Sequence, residues 1–104
     1  MTTDGSANGT VEKEFTVRSE LGLHARPAGR LASIASRFES EISLGRGEEW
    51  VSGASVLSIL CLAATQGTTL RVRATGQDAE QAVMELGALI ESDDEDSVMP
   101  GRKA

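Results

Sequence analysis

Leu21-Gly22-Leu23-His24-Ala25-Arg26-Pro27 reads as a loop turning into a helix, and it carries the chain's single histidine. Proline suits the first turn of a helix, where backbone N–H groups have no intrahelical acceptor to lose. The N–H groups of Ala25 and Arg26 then fall in that turn, around the imidazole. The Arg26 guanidinium and the positive end of the helix dipole join them there. Such a place holds an anion, and phosphate is the usual one. A nucleophilic imidazole beside a phosphate cradle points to a histidine that itself carries a phosphoryl group.

Outward from this junction, hydrophobic periodicity lays out the other elements. Phe15 and Val17 alternate with Thr16 and Arg18, as in a strand with one buried face. From Pro27 to Phe38, apolar residues recur at helical spacing as Ala28, Leu31, Ala32, Ala35 and Phe38. Glu41 to Leu44 and Glu49 to Val51 are two short strands joined by Gly45-Arg46-Gly47-Glu48, a hairpin signal. Gly53 opens a short helix over about Ser55 to Ala63, and Thr65-Gln66-Gly67 is a turn. Leu70, Val72 and Ala74 alternate with Arg71 and Arg73 in a fourth strand. Asp78, with Gln81 three residues on, is expected to cap a last helix. Its apolar face runs through Ala79, Ala82, Val83, Leu86, Leu89 and Ile90. The order is β-α-β-β-α-β-α. The first and last strands each have one apolar face, so helices should cover one side of the sheet. An α+β domain is expected, with a four-stranded antiparallel sheet and three helices on one face.

A chain of 104 residues is one domain with a modest core. Its formal charge of −6 argues against nucleic acid as a partner. Residues 11–91 hold 8 basic and 11 acidic side chains, and much of the remaining negative charge is Asp93, Asp94, Glu95 and Asp96. The expected organisation is a disordered tail over 1–10, a domain over 11–91 and an acidic disordered tail over 92–104. Cys61 is alone, so no intramolecular disulfide forms. Met1-Thr2-Thr3-Asp4-Gly5-Ser6 lacks the basic and apolar regions of a signal peptide, and no stretch is long enough to span a bilayer. A cytoplasmic protein without membrane insertion is expected.

Gly22-Leu23-His24-Ala25-Arg26-Pro27 resembles the active-site signature of the HPr family, the histidine-containing phosphocarriers of the bacterial phosphoenolpyruvate-dependent sugar phosphotransferase system. Gly53-Ala54-Ser55-Val56-Leu57-Ser58-Ile59-Leu60 is similar to that family's regulatory-serine segment. Ala64-Thr65-Gln66-Gly67-Thr68 and Gly76-Gln77-Asp78-Ala79 extend the resemblance, which covers roughly residues 12–91. The resemblance implies an open-faced β-sandwich with strand order 1-4-2-3. It implies that His24 accepts phosphate on Nδ1 from the phosphohistidine of enzyme I and passes it to IIA domains. Arg26 would neutralise the phosphate, with the backbone N–H groups of Ala25 and Arg26 completing the cradle. It implies a monomeric carrier, not an enzyme, with no cofactor. One histidine and one cysteine offer no metal site.

Ser55 has two readings. Serine near a helix start is a good N-cap, and the family resemblance makes it a target of HPr kinase/phosphorylase. Ala54 stands where that family commonly has lysine. In the short helix, apolar residues point around nearly the whole circumference. Ile59 and Leu62 suffice for the core, leaving Val56, Leu57 and Leu60 as a partner-docking patch near His24. Cys61 is expected to pack. Arg26, Arg30 and Arg37 make a basic stripe along the first helix. Two other functions compete: a mainly regulatory HPr signalling through His24 or Ser55 with little sugar transport, and an α+β interaction or ligand-binding domain sharing only the topology.

Overall fold

The strict alternation of side chains along four strands decides which way each residue faces. A computed structural model of the protein describes residues 9–92, and of the tails expected over 1–10 and 92–104, residues 1–8 and 93–104 lie outside the described residues. The elements are β1 (Thr10–Thr16), α1 (Ala25–Ala35), β2 (Glu41–Arg46), β3 (Glu49–Ser52), α2 (Val56–Cys61), β4 (Thr69–Thr75) and α3 (Ala79–Ile90). The strands form one antiparallel sheet in the order β1-β4-β2-β3. This is the α+β architecture and strand order expected above.

One sheet face is apolar. Leu70, Val72 and Ala74 of β4 and Leu44 of β2 are fully buried beneath the helices. Leu31 from α1, Ile59 from α2, and Val83, Leu86 and Ile90 from α3 close over them. At the β1 edge, Gly87 lets α3 approach closely, because a Cβ there would overlap the Phe15 ring. The other face is polar and charged. Glu12 accepts from Arg73 Nε at 3.1 Å, and the Arg71 and Arg73 guanidiniums lie 4.5 and 3.9 Å from the Trp50 ring centroid. Trp50 lies over Gly45, its cross-strand partner, where any side chain would collide with the indole.

Several boundaries differ from the periodicity reading. β1 starts at Thr10, where the tail was expected to continue, because Thr10 pairs with Thr75 in the ladder. α1 begins at Ala25 rather than Pro27 and stops at Ala35 rather than Phe38. Ser36 ends it, with its N–H and hydroxyl both donating to the Ala32 carbonyl. Arg37 therefore lies beyond the helix, and the basic stripe on α1 is only Arg26 and Arg30. β2 takes in Gly45 and Arg46, so the hairpin turn is just Gly47-Glu48. Gly47, at φ +62°, supplies the positive φ that a two-residue turn of type II′ needs at its first position.

Asp78 occupies the N-cap position of α3 without capping it. Its carboxylate instead accepts from the backbone N–H groups of Glu39 and Ser40, both at 2.9 Å, and from the Ser40 hydroxyl. These bonds, the Ser40 hydroxyl foremost, hold the carboxyl below its ordinary value. The depressed carboxyl contributes stability above the ordinary carboxylate range, and that contribution is lost as pH falls through the folded-state value. Asp78→Asn should therefore melt below the wild type at neutral pH. Thermal melts on a descending pH series should show the gap closing under acid conditions.

Candidate functional site

The loop before α1 is clamped to the segment after α2. Leu23 N–H donates to the Ala64 carbonyl at 2.9 Å, and Gly22, at φ +73°, packs where a Cβ would meet the Ala64 oxygen at 2.5 Å. Leu23 and Pro27 are buried on either side of the histidine. His24 is thereby held as the N-cap of α1 in an extended conformation, φ −92° and ψ −166°. Its carbonyl accepts the first helical bond, from Ala28 N–H at 3.0 Å. The N–H groups of Ala25 and Arg26 precede that bond and point out of the helix end, while Pro27 has no N–H. The first turn of α1 contains no acidic side chain to offset the dipole.

Around this end the side chains sort by exposure. Ala25 and Arg26 are exposed, His24 is half-buried, and the His24 Nε2 atom is inaccessible to solvent. Among the described residues, no group of three or more histidine, cysteine or carboxylate side chains is arranged to hold a metal.

α2 packs against α1. Ile59 and Leu62 are buried, Leu57 is 75% exposed and Val56 37%, whereas Leu60 is half-buried against the core. Leu60 therefore offers less surface than its two neighbours in the sequence-derived patch. Ser55 is the N-cap of α2, and its Oγ accepts from Ser58 N–H at 3.2 Å. Cys61, expected to pack, is exposed. A six-residue helix turns only one narrow side to the core, and Ile59 and Leu62 fill it.

Two residues escaped the sequence reading. Arg46 extends the helix-facing parity of Ile42 and Leu44, and its guanidinium donates to the Leu62 and Ala63 carbonyls at 2.8 and 3.1 Å. It closes the C-terminus of α2 beside Ala64, the residue that clamps Leu23. An arginine on the inward parity of a strand is a signal that it reaches a buried acceptor. Leu21, three residues before His24, is 70% exposed. An apolar residue in a loop beside a candidate nucleophile is a signal for contact with a partner.

Comparison with known proteins agrees with this geometry. The family model described as the PTS HPr component phosphorylation site matches residues 11–92. The phosphocarrier protein NPr of Shewanella violacea is 42% identical over 82 residues, 79% of this chain and 90% of the relative. A phosphocarrier protein HPr of Xylella fastidiosa is 39% identical over 82 residues, 79% of this chain and 92% of that protein. The crystal structure of HPr from Bacillus anthracis superposes with a TM-score of 0.76 at 32% identity, covering 80% of this chain and 99% of that one. Fold and matches agree, and the chain belongs to the HPr family of phosphocarrier proteins of the phosphotransferase system.

Proposed function

We propose that this chain relays a phosphoryl group through His24 between the phosphohistidine of enzyme I and a IIA domain. The observation that carries the reading is the single histidine at the N-cap of α1, with Nε2 buried. Nδ1 attacks the phosphorus in line; the P–N bond to the donor breaks as the bond to Nδ1 forms. The donor histidine leaves with its electron pair, and the second transfer repeats the exchange toward the acceptor. The three equatorial oxygens gather charge in the transition state, where the Ala25 and Arg26 N–H groups and the Arg26 guanidinium stabilise it. The histidine is regenerated each cycle, so the chain acts as a carrier and not as an enzyme. This chemistry needs no cofactor or metal on this chain, and the reading makes it a cytoplasmic monomer that meets its partners in turn.

Both partners would dock on the surface beside His24, with Leu57 and Val56 the most exposed apolar groups of α2 and Leu60 behind them. Leu57→Asp should leave the melting temperature nearly unchanged, since an exposed side chain contributes about 0.5 kcal/mol or less. It should raise the apparent KM for enzyme I about tenfold or more by placing a charge in an apolar contact. Steady-state transfer from phosphoenolpyruvate checks this.

A second reading, regulation through the phosphorylation state of His24 or Ser55 with little sugar transport, draws on Ser55 as the cap of α2. A phosphate there would meet the positive end of that helix beside the docking residues. Incubation with HPr kinase/phosphorylase and ATP tests it: an acid-stable label lost in Ser55→Ala is required. For the carrier reading, incubation with enzyme I, Mg²⁺ and phosphoenolpyruvate should give an acid-labile label that His24→Ala abolishes. An unlabelled wild type beside a competent enzyme I would sink it.

A further inference from the structure

Ala63 has a backbone conformation that its side chain does not favour. Its φ of +52° lies in the left-handed region, and among the described residues it is the one non-glycine there. It stands just past the end of α2, where helices commonly place glycine because a Cβ is crowded in that conformation. Such a residue keeps its place only where its surroundings fix it from both sides. On one side, Ala63 N–H donates to the Leu60 carbonyl at 3.0 Å, and the flanking Leu62 and Ala64 are buried. On the other, its carbonyl accepts from Arg46 Nη1 at 3.1 Å, and the same nitrogen reaches the Leu62 carbonyl at 2.8 Å. α2 has no basic residue in its own last turn, so the cation at its negative end comes from β2.

Arg46 is itself fixed by the sheet. It pairs with Glu49 at the mouth of the β2–β3 hairpin, and the carbonyl of the next residue, Gly47, accepts from Arg71 of β4. Two consecutive peptide groups are thus each tied to a distant donor. Arg46 holds the Ala63 carbonyl, and Leu23 N–H, one residue before His24, donates to the Ala64 carbonyl. A peptide group is planar, so turning the Ala63 carbonyl swings the Ala64 nitrogen and Cα with it.

We infer that Arg46 is a positioning residue for phosphoryl transfer: it holds Ala63 in the left-handed conformation, and Ala63 in turn fixes the carbonyl that sets the His24 loop. The role of Arg46 in transfer rests on the carrier reading of His24; its hold on the loop rests on the hydrogen bonds and the backbone angle alone.

The test is a double-mutant cycle on the full chain. Arg46 is exposed, so Arg46→Ala should fold. Glycine adopts a positive φ without steric cost, so Ala63→Gly should make Arg46 dispensable. In single-turnover transfer at saturating phosphorylated enzyme I, Arg46→Ala should be about tenfold slower than the wild type. With Ala63→Gly already in place, the same substitution should slow transfer by no more than about twofold. Equal losses in the two backgrounds, or no loss in either, would overturn the proposal. Val56 and Leu57 lie in the first turn of α2, which Ser55 caps separately, so the KM for enzyme I should change by less than about twofold. A raised KM with an unchanged saturating rate would overturn the proposal by assigning Arg46 to docking. In ¹⁵N spectra, Arg46→Ala should move the amides of Leu23 and His24, and move them less when Ala63→Gly is present. Amides that stay in place would overturn the hold on the loop. If His24 takes no phosphate in any of these proteins, the carrier reading fails while the amide shifts still decide whether Arg46 fixes the loop.

Discussion

Gly22→Ala should lower the stability of the domain by about 2–4 kcal/mol, through left-handed strain and overpacking against backbone. The new Cβ would sit 2.5 Å from the Ala64 oxygen and 3.0 Å from the Thr65 Cα, and neither atom belongs to a side chain that can swing away. At φ +73° alanine also carries the intrinsic cost of the left-handed region. For a domain of this size the melting temperature should fall on the order of 10–25 °C. The damage extends to chemistry, because the Ala64 oxygen under pressure is the one that accepts from Leu23 N–H and so sets the height of His24. Phosphoryl uptake by the folded fraction should drop about a hundredfold, the usual consequence of an ångström-scale misplacement of a reacting group. A thermal melt and a single-turnover transfer on the same sample check both halves. Wild-type transfer by a destabilised protein would mean that the clamp does not position the histidine.

Arg26→Ala should do the reverse: little change in stability and a large loss of transfer. The side chain is exposed on the first turn of α1, where truncation costs about 0.5 kcal/mol or less. In the proposed transfer its guanidinium faces the oxygens that gather charge in the transition state, and removing one such donor costs about 10²–10³ in rate. Arg26→Lys should recover part of that loss, since a lysine keeps the charge and gives up the planar fork. Rapid-quench measurement of phosphoryl uptake separates this from weaker docking, because saturating enzyme I restores the rate only if docking is the fault. A full rate for Arg26→Ala at saturation would remove the guanidinium from the mechanism.

The legible part of the fold is the part governed by local rules. Alternation in β4 and the helical stripe of α3 place Leu70, Val72, Leu86 and Ile90 in the core, where they are buried. His24-Ala25-Arg26-Pro27 marks a helix start because proline tolerates the first turn, and α1 indeed begins there. What escaped depends on partners distant in sequence. Asp78 looks like a cap, yet its oxygens are taken by N–H groups 38 and 39 residues earlier, across a junction no local pattern reveals. Arg46 looks like a turn residue until β2 extends through it and turns it toward the carbonyls that close α2. Cys61 looks buried because its neighbours are apolar, but a helix of six residues has too little circumference in contact to cover it. Exposure of Leu57 was legible by elimination, once Ile59 and Leu62 had been assigned to the core.

The central claim is that one nitrogen of one residue carries the phosphoryl group. Because the chain has a single histidine, its imidazole can be followed by itself with ¹⁵N-labelled histidine. Enzyme I and phosphoenolpyruvate should shift the Nδ1 resonance of His24 and give it a resolved coupling to phosphorus, with Nε2 left unphosphorylated. Adding an acceptor IIA domain should return the spectrum to its starting state. A phosphoryl group on Nε2, or phosphate taken up while both ring nitrogens stay unchanged, would contradict the account.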